Sequence, residues 1–199
     1  MKTYYTYLIK ICLLPLVFAL VACGENYVPK PKAYLRLDYP KANYTTSNLD
    51  VPFTFETNLL ASKIKLKPVK APTNSYGINL EYPTIKGTIF LTYKAIDGNK
   101  KNLIDFLRDA QNFTQKHNIK ADAIVETVYE NPNKKTYGMF YEVAGNAASQ
   151  AQFYITDSIN HFLTGSLYFK TKPNYDSILP AAHYLQKDIK HIMETVRWR

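Results

Sequence analysis

Cysteine is scarce: there are two in 199 residues, Cys12 and Cys23, both near the start. Everything after Cys23 therefore lacks a disulfide, a thiolate metal site and a cysteine nucleophile. Histidine is scarce as well. His117, His161, His183 and His191 show no metal-ligand spacing. Even His183 and His191, eight apart, would stand about 12 Å from each other along a helix, and all four read as surface or cap residues. No HExxH, GxSxG or phosphate-cradling glycine loop occurs. The 16 acids, outnumbered by 25 cations, offer no privileged carboxylate pair. After the first 22 residues no run is apolar enough to cross a bilayer. These absences predict a protein with no catalytic residue, no metal and no cofactor, which is not an enzyme.

What is present begins at the N-terminus. Met1–Ala22 has the cations Lys2 and Lys10, an apolar run from Ile11 to Val21, and a small residue before Cys23. Those are the three parts of an export signal. The run is shorter than the roughly 20 residues of a spanning helix, and Pro15 interrupts it, which weighs against an uncleaved anchor. Leu20-Val21-Ala22-Cys23 resembles the lipobox of bacterial lipoprotein signal peptides. The resemblance implies cleavage between Ala22 and Cys23 and acylation of the Cys23 thiol, with palmitate as an expected chain. Two or more membrane signals anchor a protein stably where one does not.

Removing residues 1–22 leaves a formal charge of +7 (+9 less Lys2 and Lys10). The lysines are scattered, which favours a solvated surface over a docking site for acidic membrane or anionic glycan. Export argues against nucleic acid as a partner. Residues 23–32 read as a stiff tether carrying Pro29 and Pro31, and residues 33–199 as one domain with a single core.

Within that domain, Ala33 to Tyr39 reads as a short strand in which Arg36 and Asp38 share a face. Lys41 to Asp50 reads as a loop, and Val51 to Glu56 as a strand with Phe53 and Phe55 facing one way. Lys63 to Lys70 alternates lysine with apolar residues, a strand with one wet face. Strands follow at Tyr76–Tyr82, Gly87–Ile96, Ala123–Glu130, Thr136–Val143, Ala151–Thr156 and His161–Lys170, with short turns between the later ones. Leu103, Phe106, Leu107, Ala110 and Phe113 predict a helix, capped by Asn102 with Asp105 and fraying near His117-Asn118. Ile178, Ala182, Leu185, Ile189, Ile192 and Val196 predict a second, into which Pro180 fits only if it lies in the first turn. The fold class is α+β, a twisted antiparallel sheet with two main helices packed on it. The element order is similar to that of PsbP/Mog1-type domains, an analogy of fold that licenses no function.

The stretch CGENYVPKPKAYLRLDYPKANY, Cys23 to Tyr44, followed by Pro52-Phe53-Thr54-Phe55-Glu56, resembles the N-terminal region of the gliding-motility lipoprotein GldD family of Bacteroidota. Tyr184-Leu185, Asp188-Ile189 and Arg197-Trp198 extend the similarity to the C-terminal helix and tail. The resemblance implies a non-enzymatic, lipid-anchored component of the envelope machinery for gliding and the linked type IX secretion system. Its partners would be other envelope proteins of that machinery, reached by protein–protein contact. It carries over no ligand residue by residue.

The candidate contact segment is Tyr27 to Tyr44. It joins stiff presentation to aromatic anchors, Tyr27, Tyr34 and Tyr39, and cations, Lys30, Lys32 and Arg36. The alternative is a stalk and edge strand packed on its own domain. Seventeen tyrosines are the compositional outlier. Tyr137, Tyr141, Tyr154 and Tyr168 either cap an exposed sheet face or line a ligand platform, and the latter supports a rival reading as a peptidoglycan- or glycan-binding lipoprotein. Asp157-Ser158-Ile159 and Asp176-Ser177-Ile178 resemble O-glycosylation acceptor sites of this phylum, Ser158 and Ser177 being the acceptors; a hairpin turn and a helix N-cap explain them equally. Gly24 after the cysteine and the lone acid Glu25 point to the periplasmic side of the outer membrane, with the inner membrane as the alternative.

Overall fold

Alternating strand-formers fill the middle of the chain, and each such run becomes a strand. The computed structural model describes residues 37–117, 120–170 and 175–199. In chain order the strands are β1 (Tyr44–Thr46), β2 (Phe53–Thr54), β3 (Glu56–Asn58), β4 (Lys63–Pro68), β5 (Ser75–Tyr82) and β6 (Gly87–Ala95). After helix α1 (Lys100–His117) come β7 (Ala123–Asn131), β8 (Thr136–Ala144), β9 (Ser149–Thr156) and β10 (His161–Phe169). Helix α2 (Tyr175–Thr195) and β11 (Arg197–Trp198) close the chain. Seven strands form one sheet in the order β4-β5-β6-β10-β9-β8-β7, and every pairing is antiparallel. Two meanders are thus zipped together by β6 and β10. The architecture is α+β, and the described residues belong to one compact unit, Tyr34–Arg199.

Period two divides the sheet into two unlike faces. Register aligns Leu66, Ile78, Leu91, Gly165, Phe153 and Phe140 on one of them. Helix α2 covers this face, burying Ala182, Leu185, Ile189, Ile192 and Met193 against Ile89, Leu163 and Ile155. A fully buried side chain of this size contributes roughly 1.5–3 kcal/mol, so this layer dominates stability. The fit is close: a Cβ on Gly165 would lie 2.1 Å from the Phe153 ring, and one on Gly87 2.3 Å from Leu185 Cδ1. The other face aligns Gly77, Thr92, Thr164, Tyr154 and Met139. There α1 makes a much smaller core, in which Ile96, Phe106 and Phe162 are the buried members.

Several expectations are corrected. Leu37 to Tyr39 is not strand, and the predicted loop contains β1, which pairs with β3. The strand expected from Val51 to Glu56 breaks at Phe55, because β2 pairs with β11 and β3 with β1. Phe53 and Phe55 nevertheless both face the core, with ring centroids 5.8 Å apart. β4 is wet on both faces, since it is a sheet edge beyond the reach of α2; its lysines and Pro68 also discourage further strand pairing. Helix α1 is capped by Asn99, whose Oδ1 accepts from the Lys101 amide at 2.9 Å. Asn102 instead donates to the Ile96 carbonyl, and Asp105 pairs with Arg108. Pro180 lies in the second turn of α2. It forfeits one backbone bond at a cost of about 3 kcal/mol, a loss the buried stripe of α2 offsets.

Candidate functional site

Cys23, Ala22, Tyr27, Lys30, Lys32, Tyr34 and Arg36 lie outside the described residues. Of the expected contact residues, Tyr39 is described. Its ring packs on Tyr184 of α2, centroids 5.1 Å apart. Five residues on, Tyr44 of β1 stacks on His191 at 3.7 Å, an interplanar angle of 20°. The N-terminal segment therefore does not stand clear of the domain at these positions; it is seated along α2.

Beneath it is Asp188, a carboxylate that entered the sequence analysis only as part of the family resemblance. Asp188 is 1% exposed. The Tyr44 hydroxyl donates to its Oδ1 at 2.8 Å, and Asn58 Nδ2 donates to its Oδ2 at 2.8 Å. The Asn58 amide also donates to the Tyr184 hydroxyl at 3.0 Å. Tyr82 is buried alongside, near enough to influence Asp188 electrostatically, although its hydroxyl has no partner of hydrogen-bond geometry. Burial pushes the Asp188 carboxyl above its ordinary value; the donated bonds pull the other way and lose. The same burial, with the neighbouring carboxylate, raises Tyr44 and Tyr82. His191 Nε2 meets Glu56 Oε2 at 2.8 Å. Asp188 thus ties β1, β3 and α2 together.

Two histidines expected at the surface are packed instead. His191 is held between Tyr44 and Glu56, and His161 lies flat on Trp198, centroids 5.0 Å apart. His161 Nδ1 bonds the Tyr93 hydroxyl at 2.8 Å. Burial lowers the His161 pKa and pushes that of Tyr93 up to about 12. Trp198 in turn donates to the Lys135 carbonyl at 3.1 Å, and Arg199 to the carbonyls of Leu49 and Val51.

Tyr137, Tyr141, Tyr154 and Tyr168, expected either to cap an exposed sheet face or to line a ligand platform, are partly covered. Helix α1 crosses that face, and Tyr141 is buried while Tyr154 and Tyr168 are half-buried. Tyr154 stacks on Phe162 at 5.9 Å, Phe162 meets Phe106 of α1 at 5.7 Å, and Phe90 meets Tyr168 edge-on at 5.7 Å. The helix does not close onto all of this surface. A cleft of about 290 Å³ remains between α1 and the sheet, with these aromatics, Tyr141 and Gln152 among its walls. Burial pushes Tyr141 up to about 12.

Ser158 and Ser177 are both exposed. Ser158 is in the left-handed region, φ 67°, in a turn that Asp157 Oδ1 organises by accepting from the amides of Ile159, Asn160 and His161. Asp176 and Ser177 lie inside the first turn of α2 rather than at its N-cap, where the carboxylate complements the positive helix end. Among the described residues no three His, Cys, Asp or Glu stand close enough to hold a metal ion, and no helix is long and apolar enough to cross a membrane.

The family described as gliding motility lipoprotein GldD matches residues 24–198, nearly the whole chain after Cys23. None of the curated proteins compared with the chain matches it.

Proposed function

The chain belongs to the gliding motility lipoprotein GldD family, and from that premise we propose that it is a non-enzymatic docking body of the gliding and type IX secretion machinery. Its place is the cell envelope, on a lipid anchor; Cys23 carries that anchor, on the periplasmic side of the outer membrane in a bacterium of the Bacteroidota. The observation that carries the reading is the tether root. Tyr39 and Tyr44 are stacked on α2, and Tyr44, Asn58 and Asp188 share a buried bond network. A tether so rooted transmits force from a lipid anchor to the main core instead of peeling off. That suits a part which holds other envelope proteins in place. Peptidoglycan or glycan binding is a second reading, favoured by the tyrosines around the cleft.

Crosslinking in the native gliding envelope, followed by mass spectrometry, tests the first reading. Specific envelope-protein crosslinks are expected, together with loss of gliding in Tyr34→Ala/Arg36→Ala at unchanged protein level. Retention on murein sacculi with no protein crosslinks would favour the second and overturn the first.

A further inference from the structure

Scattered along the sequence, lysines gather in the fold. Lys63 opens β4, Lys86 precedes β6 and Lys170 follows β10. Antiparallel pairing carries all three to one end of the sheet: Lys63 lies opposite Glu81, Gly87 opposite Phe169, and the Lys170 amide donates to the Lys86 carbonyl at 2.9 Å. Together they line a cavity of about 190 Å³ whose one acid is Glu81. That carboxylate is already engaged, by Lys65 Nζ at 2.7 Å and by Lys170 Nζ at 3.5 Å. Among the described residues Lys63 and Lys86 have no acid partner, and both are exposed. Between the lysines of β4, Ile64 and Leu66 are exposed as well, at 38% and 41%.

The described chain approaches this same end. Followed back from Tyr44 to Tyr39, it moves from His191 to Tyr184, about 10 Å along α2 toward the helix N-terminus. There it is level with the lysine cavity. Leu185 packs under Gly87, which lines that cavity, and Asn58, which donates to the Tyr184 hydroxyl, stands shortly before Lys63 in the chain. Resting on the lipid-anchor reading, we propose that this end of the domain lies against the bilayer that holds Cys23, with its lysines on the phosphates of anionic phospholipid headgroups. An anionic surface attracts each cation brought within a screening length of it. Ammonium groups on flexible stems suit mobile phosphates that offer no fixed geometry, and Ile64 and Leu66 beside them suit the boundary between headgroup and acyl chain. Anchoring supplies the effective concentration that so small a patch needs.

The test uses the mature lipidated protein in nanodiscs. Acylation consumes Cys23, so Thr84→Cys, in the turn beside Lys86, and Asn133→Cys, in the turn at the far end of the sheet, each give one site for a dye. Energy transfer to an acceptor on the headgroups reads how near each turn comes to the bilayer. From Thr84→Cys it is expected to rise about twofold when phosphatidylglycerol replaces a third of the phosphatidylcholine. It should fall back in 1 M salt, where the screening length shrinks to about 3 Å. From Asn133→Cys no rise is expected. Lys63→Gln/Lys86→Gln/Lys170→Gln should abolish the response, whereas Lys100→Gln/Lys101→Gln/Lys135→Gln, the same loss of charge at the far end, should keep it; all six lysines are exposed. Equal responses from the two dyes, or abolition by both sets of substitutions, overturns the assignment. So does displacement by inorganic phosphate at constant ionic strength, which would make the cavity a site for a soluble anion. Protein that stays on pure phosphatidylcholine discs and ignores phosphatidylglycerol sinks the headgroup face and leaves the anchor standing. Protein that leaves those discs but stays on discs containing phosphatidylglycerol sinks the anchor and leaves the face.

Discussion

Removing one oxygen from the tether root, Tyr44→Phe, tests the energetics most directly. The variant keeps the ring on His191 and deletes the 2.8 Å bond to Asp188 Oδ1. A hydrogen bond to a charged group contributes about 1.5–3 kcal/mol, a neutral one about 1. Above the raised pKa, with Asp188 ionised, the expected penalty is therefore about 2 kcal/mol, a fall in Tm of roughly 4–8 °C for a domain of this size. The pH dependence follows from Asp188. Its folded pKa is raised, so the folded state holds its proton longer than the unfolded chain. This group's contribution to stability falls as pH climbs from the ordinary Asp value of 3.8 through the raised pKa. Tyr44 favours the ionised form, and its loss costs more above that window than below it. Toward pH 4 the penalty should shrink in the direction of the roughly 1 kcal/mol of a neutral bond. Paired urea melts of the natural protein and the variant at pH 4 and pH 8 measure this, and other titrating groups largely cancel in the difference. Equal penalties at both values, or none at pH 8, would refute the assignment of Asp188 as the charged hub.

Three further outcomes are expected. Gly165→Ala places a methyl carbon where the Phe153 ring already stands; it should cost about 1–3 kcal/mol as overpacking, and Phe153→Leu in the same chain should recover part of it in thermal melts. His161 has a depressed folded pKa, so its contribution is complete above the ordinary histidine value of 6.5 and is lost as pH falls toward the folded value; His161→Phe should flatten stability against pH in that window. Cys23→Ser should release the protein from membranes on fractionation, and an intact mass equal to lipidated peptide alone would exclude sugar on Ser158 and Ser177.

The long hairpins were legible because burial on one sheet face imprints period two, as in Ile78, Leu80 and Tyr82 of β5, all buried. Strand β1 was not. Tyr44 to Thr46 sits among polar residues, and what fixes it is pairing with β3 and the bond from Tyr44 to Asp188, 144 positions away. Asp188 itself left a faint trace, an acid beside Leu185, Ile189 and Ile192 in the apolar stripe of α2. Gln152 left none: alternating with Ala151 and Phe153 it reads as a solvent-facing residue, and only α1, arriving from elsewhere in the chain, buries it. The Pro180 expectation failed because tertiary packing outweighs the local preference of one residue.

The two helical layers differ in more than size. Tyr39 and Tyr44 are stacked on α2 at one side of the sheet and α1 lies on the other, so a pull applied at Tyr44 and at α1 would run through the sheet from face to face. Hydrogen bonds between strands lie in the plane of the sheet and are loaded little in that direction. What fastens α1 is the smaller of the two cores, in which Ile96, Phe106 and Phe162 are the buried members. Under such a load α1, held by less buried apolar surface than α2, would lift first while the α2 side stays folded.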